Sequence, residues 1–344
     1  MELLDLTRKK LEDILLENGF AKFKVTQIMQ WIYQKRVFSF DEMTNISKSD
    51  RVKLAEMFEI TPLFPSEVFT SSDGTQKLAF TLSDGNVVEA VIIPEETRCT
   101  LCVSTQAGCP LHCAFCRTGS LGFKRNLTVS EINSQVLSAQ MAAEESGKRI
   151  TNLVFMGMGE PLLNFQNLLD SIDILLDDFG FNFSNRKITV STSGIADKIV
   201  ELGETTKVNL AVSLHAVTDE KRDKIMPVNK KYPLKELLKA IDSYPVSRKM
   251  VVLEYVMLKN FNDTPDDAEK LAKIAKRYDA KVNIIPFNTF DGAAFEPTPM
   301  KKIIDFQNIL IAKNVTALIR KSRGGDKLAA CGQLGKVENQ INRL

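Results

Sequence analysis

From about Arg98 onward, apolar runs of strand length alternate with helical stretches, and this alternation limits the possible folds more than any other property of the chain. The strand candidates are residues 100–105, 151–156, 187–191, 208–213, 250–257, 282–286 and 315–319. Helices fall between them, and Thr128-Val-Ser-Glu131 is a capping box that opens the first. Such repetition predicts an α/β fold with a parallel sheet, open or barrel-like, and helices outside. Two other textures precede it. Residues 1 to about 60 look helical: Val25, Ile28, Met29 and Ile32 keep the i, i+3, i+4, i+7 stripe, and Ser47 can cap a further helix containing Leu54 and Met57. Residues 66–94 read as strands, with tight-turn signals at Asp73-Gly74 and Asp84-Gly85. The run Val87–Ile93 is a buried-strand pattern broken by one carboxylate, Glu89. The expected organisation is a helical part over 1–60, a β-hairpin connector over 61–97 and an α/β core over 98–344.

The chemistry is concentrated in cysteines. The chain has Cys99, Cys102, Cys109, Cys113, Cys116 and Cys331, and five of these fall within eighteen residues. That clustering suits metal binding in a reducing cytosol better than a disulfide framework. Cys109, Cys113 and Cys116 form a C-x3-C-x2-C triplet. Three thiolates on one loop can hold three irons of a [4Fe-4S] cluster, leaving the fourth iron open to a small chelating molecule. Zinc sites pair C-x2-C with a second pair at a distance. The Cys99/Cys102 pair therefore leaves a zinc or redox element open on spacing alone. His112, inside the triplet, reads as a spacer.

In parallel α/β folds the site lies at the carboxyl ends of the strands. Those ends carry Gly157-Met-Gly159-Glu160-Pro161, Ser191-Thr-Ser-Gly194, Ser213-Leu214-His215 and Asn288. They supply hydrogen-bonding groups suited to a ribose, an amino acid or an adenine, and the glycines allow close backbone approach. Cys331 stands far from the other cysteines, after the basic run Arg320-Lys-Ser-Arg-Gly-Gly325, and reads as a thiol on a loop where cations favour the thiolate. Net charge is only +2, so a nucleic-acid partner is not announced by global charge. No apolar run reaches the ~18 residues of a membrane span, and the start lacks a signal-peptide pattern. A cytoplasmic enzyme is expected.

The triplet, with Phe115 before its third cysteine, resembles the signature of the radical S-adenosylmethionine (SAM) superfamily. Arg323-Gly, Asp326 and Ala-Ala-Cys331-Gly-Gln-Leu, with Leu101-Cys102-Val-Ser and Phe155-Met-Gly-Met-Gly-Glu-Pro161, resemble the RlmN branch of the RlmN/Cfr radical-SAM RNA methyltransferases. Gln27-Ile-Met-Gln-Trp31-Ile-Tyr33 and Phe40-Asp-Glu-Met-Thr44 are similar to that branch's N-terminal accessory domain, so the resemblance covers essentially the whole chain.

The resemblance implies a partial (βα)6 barrel, a [4Fe-4S] cluster on Cys109, Cys113 and Cys116, and SAM contacts at Gly159, Glu160, Ser191, Ser213, Leu214, His215 and Asn288. It implies methylation of adenine carbon 2 in 23S rRNA, with tRNA as a further substrate and a flavodoxin or ferredoxin as electron donor. In the family scheme Cys331 takes a methyl from one SAM, and a second SAM yields a 5′-deoxyadenosyl radical that activates it. The carbon radical adds to adenine, Glu89 accepts the ring proton, and Cys102 resolves the thioether by forming a disulfide. Residues 1–60 then become an RNA-docking domain. Basic pairs such as Lys124-Arg125, Arg186-Lys187, Lys230-Lys231 and Arg320-Lys321 are further candidates for RNA contact. Cys99 has no role in this scheme. Carbon-8 chemistry of the Cfr type is the runner-up, and a radical-SAM activating enzyme acting on a protein is the alternative from another class.

Overall fold

Apolar positions at helical spacing build the N-terminal elements. The computed structural model describes residues 1–244 and 251–335; Met250, at the edge of one strand candidate, and residues 336–344 lie outside the described residues. Helices α1 (Arg8–Glu17), α2 (Phe23–Met29) and α3 (Lys48–Met57) come first. Val25, Ile28, Met29 and Ile32 are all buried, and Ser47 accepts from Asp50 N at 3.2 Å as the α3 cap. This layer packs directly against the barrel. One apolar core runs from Leu3 and Leu4 into the barrel strands. Tyr33 packs on Phe181 with ring centroids 5.0 Å apart. Lys10 is ion-paired to Asp170 at 2.6 Å.

Strands β1 (Glu67–Thr70), β2 (Gln76–Thr81) and β3 (Val87–Pro94) form an antiparallel meander on the two Asp-Gly turns. The α/β part follows with β4 (Cys99–Cys102), β5 (Gln106–Gly108), α4 (Arg117–Ser120), β6 (Phe123–Asn126), α5 (Val129–Glu145), β7 (Asn152–Phe155) and α6 (Phe165–Leu176). Then come β8 (Ile188–Thr192), α7 (Ala196–Thr205), β9 (Asn209–Ser213), α8 (Asp219–Ile225) and α9 (Leu234–Asp242). Last are β10 (Val251–Met257), α10 (Pro265–Arg277), β11 (Lys281–Pro286), α11 (Met300–Ala312) and β12 (Ala317–Ile319).

All but β5 and β6 belong to one sheet, in the order β1-β2-β3-β4-β7-β8-β9-β10-β11-β12. Every pair from β4 to β12 is parallel. Each of the seven strand candidates therefore corresponds to a strand, within three residues at either end. The sheet does not close, which makes it a partial barrel. The 61–97 stretch does more than connect, because β3 pairs with β4 and the meander extends the barrel sheet. The capping box at the start of α5 is present in both directions, with Glu131 N to Thr128 Oγ1 at 3.2 Å and Thr128 N to Glu131 Oε2 at 2.9 Å.

Candidate active site

The three-cysteine loop lies between β5 and β6, a two-stranded hairpin that periodicity did not reveal. Gly108 holds φ +73, and a Cβ there would stand 1.8 Å from Gly122 O, so this crossing requires glycine. The loop closes with Cys109 N donating to Gly122 O at 3.0 Å and docks on α8 through Ala114 N to Ile225 O at 2.9 Å. His112 sits at φ +51, and its Nδ1 contacts Gly119 O at 3.0 Å, so this nitrogen is engaged within the loop. Burial pushes the Cys109 thiol up to about 12, and Cys113 and Cys116 rise for the same reason.

The strand ends meet this loop in one cavity of ≈ 1020 Å³, measured with its open mouth. Cys109, Cys113 and Cys116 line it together with Gly159, Glu160, Ser191, Ser213, His215, Asn288 and Cys331. Leu214 does not line it; its N–H donates to Glu254 O at 3.1 Å. Glu160 is buried, with Oε2 accepting from Ser193 N at 2.7 Å and Oε1 from Leu162 N at 3.2 Å. Burial raises its pKa. His215 is held neutral, pushed down to about 3 by burial and then by the nearby Arg222 cation. Its Nδ1 accepts from Val256 N at 3.1 Å, which places the ring proton on Nε2. Its ring meets Phe115 edge-on, with centroids 4.7 Å apart. The glycines serve packing before any ligand: a Cβ on Gly157 would lie 2.6 Å from Ser104 Oγ, and one on Gly159 2.5 Å from Gln106 Cβ.

Cys331 reaches this cavity from the far end of the chain on a loop tied at several points. Asn288 Nδ2 donates to Cys331 O at 3.1 Å, and Arg117 N donates to Gly332 O at 2.8 Å. Thr118 Oγ1 donates to Leu334 O at 2.8 Å. Upstream, Asp326 accepts from Ser71 Oγ, and Asp73 accepts from Gly324 N at 3.1 Å, both on the first Asp-Gly turn. The residue is exposed and lines the cavity, and the protein packed around its sulfur, then the neighbouring Cys102 thiol, push the thiol up to about 12. The thiolate-favouring cations expected from the basic run do not prevail: Arg320 pulls the thiol down, but less than burial, Cys102, Glu254 and Cys116 push it up.

Cys102 is buried on β4, behind the cavity wall, and burial pushes its thiol up to about 12. Both thiols are free. Cys99 is on the same strand three residues earlier, so it faces the opposite side of the sheet about 10 Å away, too far for a disulfide with Cys102. Glu89 does not line the cavity. It is 1% exposed on β3, with Oε1 3.0 Å from Lys77 Nζ and Oε2 accepting from Gly335 N at 2.7 Å.

Two cavity-side residues escaped the sequence reading. Arg222 on α8 is fully buried and donates to Leu214 O, Ser193 O, Ser213 O and Asn229 Oδ1, tying β8, β9 and α8 together. Nothing in its local sequence distinguishes it from a solvated helix charge. Glu254 lines the cavity from β10, buried, with Asn283 Nδ2 donating to its Oε1 at 2.8 Å. Its signal, one carboxylate in an apolar run, is the one that drew attention to Glu89. Among the basic pairs, Arg125 is committed to Glu131 at 2.7 Å and to Asp84, whereas Lys124, Arg186, Lys187, Lys230, Lys231, Arg320 and Lys321 are exposed.

Residues 1–60 match the family described as ribosomal RNA large subunit methyltransferase N-terminal domain, and residues 103–281 match the radical SAM superfamily. The chain is 45% identical to the dual-specificity RNA methyltransferase RlmN of Geotalea uraniireducens, covering 99% of this chain and 98% of that one. It is 48% identical to the protein of the same name from Pelobacter propionicus, covering 98% and 96%. A crystal structure of a radical SAM methyltransferase from Sphaerobacter thermophilus superposes with a TM-score of 0.90 at 40% identity, over 97% of this chain and 98% of that one. Together with the three-cysteine loop at the strand ends, these likenesses show that the chain belongs to the RlmN family of radical-SAM RNA methyltransferases.

Proposed function

We propose that this chain methylates carbon 2 of an adenosine in 23S rRNA and of the adenosine 3′ of the anticodon in tRNA, using two SAM molecules per turnover in the cytoplasm. The observation that carries the reading is the meeting of Cys331, from the end of the chain, with the three-cysteine loop in one cavity, with Cys102 close behind. Family membership, and the name dual-specificity RNA methyltransferase carried by the relatives, support it.

The residues fit the cofactors. Among the described residues, no three His, Cys, Asp or Glu side chains are placed to share one metal ion. Thiolates that each bind a different iron of a cluster need not converge in that way. Cys109, Cys113 and Cys116 would hold the cluster. Gly159, Glu160, Ser191, Ser213, His215 and Asn288 would surround SAM, with Leu214 behind them, and Glu160 keeps spare lone pairs for an ammonium group. When bound, the cluster supplies the electron that cleaves SAM, and the electron itself comes from a flavodoxin- or ferredoxin-type donor.

The chain's own residues do the rest. Cys331 loses its proton, takes a methyl group as a thioether, and presents it at the cavity. Adenine carbon 2 is electron-poor and will not attack an electrophilic methyl, so the carbon is delivered through Cys331 as a radical. Glu89 accepts the ring proton. The Cys102 thiolate attacks Cys331 sulfur: the sulfur–carbon bond breaks as the disulfide forms, its electron pair stays on the carbon, and that carbon takes a proton to become the methyl of the released base. Exposed lysines and arginines, and the N-terminal helices, meet the RNA, and the base is unstacked to enter. The test is mass analysis of protein and RNA after anaerobic reconstitution with SAM. A methyl on Cys331 and 2-methyladenosine in both RNAs are expected; 8-methyladenosine, or an unmodified Cys331 in active protein, defeats the assignment.

A further inference from the structure

The β2–β3 ladder holds an ion pair that the scheme above leaves without a purpose. The register sets Lys77 opposite Val91 and Ala79 opposite Glu89, so Lys77 and Glu89 are diagonal neighbours on one face of the hairpin. Lysine is seldom fully buried unless paired, and Lys77 is only 8% exposed, beside a carboxylate that is 1% exposed. Buried ion pairs are often no more stabilising than apolar residues of the same volume, so stability alone does not account for this one. Phe69 closes over the ammonium, its ring centroid 5.3 Å from Nζ.

The two oxygens of Glu89 are treated differently. Oε2 accepts from Gly335 N at 2.7 Å, a group on the loop that carries Cys331. Oε1 lies 3.0 Å from Lys77 Nζ and has no hydrogen-bond partner. The carboxylate is thus fixed from two sides, by Gly335 N at Oε2 and by Lys77 Nζ at Oε1.

We infer that Lys77 is a positioning residue for RNA methylation: it holds the Glu89 carboxylate in the orientation from which it takes the adenine proton. The inference rests on the reading of Glu89 as proton acceptor. In that step the carbon–hydrogen bond breaks, its electron pair stays on the base, and Glu89 becomes a neutral acid; Lys77 keeps its own protons. Without the ammonium, Oε1 loses its one close partner and the carboxylate is free to turn away from that orientation.

The experiment compares wild-type protein with Lys77→Met, Glu89→Gln and the double variant, each reconstituted anaerobically. Two quantities are read: methylation of Cys331 by intact mass, and the single-turnover rate of RNA methylation. Lys77→Met is expected to acquire the Cys331 methyl normally and to methylate RNA ~10²-fold more slowly, the lower end of what loss of a general base does. The double variant is expected to be no slower than Glu89→Gln, because Lys77 acts through Glu89. A wild-type rate in Lys77→Met beside a slow Glu89→Gln refutes the role of Lys77 and leaves the base assignment standing. A double variant slower than Glu89→Gln by a further large factor also refutes it. A wild-type rate in Glu89→Gln removes the base assignment and this inference together. Should Lys77→Met fail to fold, the double variant, which buries no charge at the pair, decides by its rate against Glu89→Gln.

Discussion

Replacing Arg222 by methionine is expected to destabilise the fold by about 3 kcal/mol and to slacken the site. The guanidinium donates four hydrogen bonds, to Leu214 O, Ser193 O, Ser213 O and Asn229 Oδ1. Hydrogen bonds to a charged group contribute ~1.5–3 kcal/mol each, so four at the lower end amount to ~6 kcal/mol. Against this stands the cost of burying the cation. Burial lowers the group to about 10, which corresponds to roughly 3 kcal/mol at ~1.4 kcal/mol per pH unit. Methionine avoids that cost and fills much of the volume, so the difference, about 3 kcal/mol, is the expected loss. Unfolding entropy of ~2.1 cal/mol/K per residue converts this to a fall of about 4 °C in Tm for a chain of 344 residues. The assay is thermal and urea denaturation of the cluster-free protein, with wild type alongside. Because Ser193 and Ser213 both border the cavity, methylation of Cys331 by SAM should slow as well. Arg222→Lys should lose most of the same stability, since an ammonium cannot reproduce the planar fork that reaches three carbonyls. A Tm within 1 °C of wild type in Arg222→Met would show that these carbonyls do not depend on Arg222, and the reasoning fails.

Cys331→Ala should give neither product nor crosslink, whereas Cys102→Ala should accumulate RNA covalently bound through Cys331, seen as an RNase-sensitive band on denaturing gels; equal behaviour of the two variants contradicts the assigned roles. Alkylation of Cys331 in cluster-free protein should be slow at neutral pH and still climbing at pH 10, because burial holds the thiol protonated; a rate that levels near pH 8 contradicts this. The same raised value means the folded state keeps a proton that the unfolded chain releases. This contribution to stability is full below the ordinary thiol range and is lost as pH rises towards about 12. Deletion of residues 1–60 should yield insoluble protein rather than a competent barrel, because the truncation uncovers a shared core; a soluble, cluster-binding truncation argues for an independent domain.

What was legible in the sequence follows physical periodicity. Strands of the parallel sheet are buried on both faces and read as apolar runs, so their order and spacing were visible. The β5–β6 hairpin was not, because Gln106–Gly108 and Phe123–Asn126 are short and polar and owe their pairing to the glycines at its crossing. The hairpin was legible as two turns, but its fusion to the barrel sheet depends on the pairing of β3 with β4, a long-range contact that no local pattern records. Four strand-end motifs and Cys331 converge as their positions suggested, whereas Leu214, Cys102 and Glu89 stand behind the cavity surface. Glycines at 157 and 159 looked like ligand-facing residues and prove to be required first by Ser104 and Gln106. Arg222 was invisible because a buried arginine and a solvated one look alike until the fold closes over it.

The ties on the Cys331 loop also bear on when the protein becomes reactive during its synthesis. Asp326 joins Ser71 across 255 residues, and Gly335 joins Glu89 across 246. Contacts of such separation close the longest loops in the chain, and their entropy cost places them late in folding. The three-cysteine loop spans only residues 109–116 and needs none of them. A ribosome-bound chain can therefore form its three-cysteine loop while Cys331 has yet to be translated. The three-cysteine loop and the Cys331 thiol come to share one cavity only after the loop that follows β12 has docked on the first hairpin.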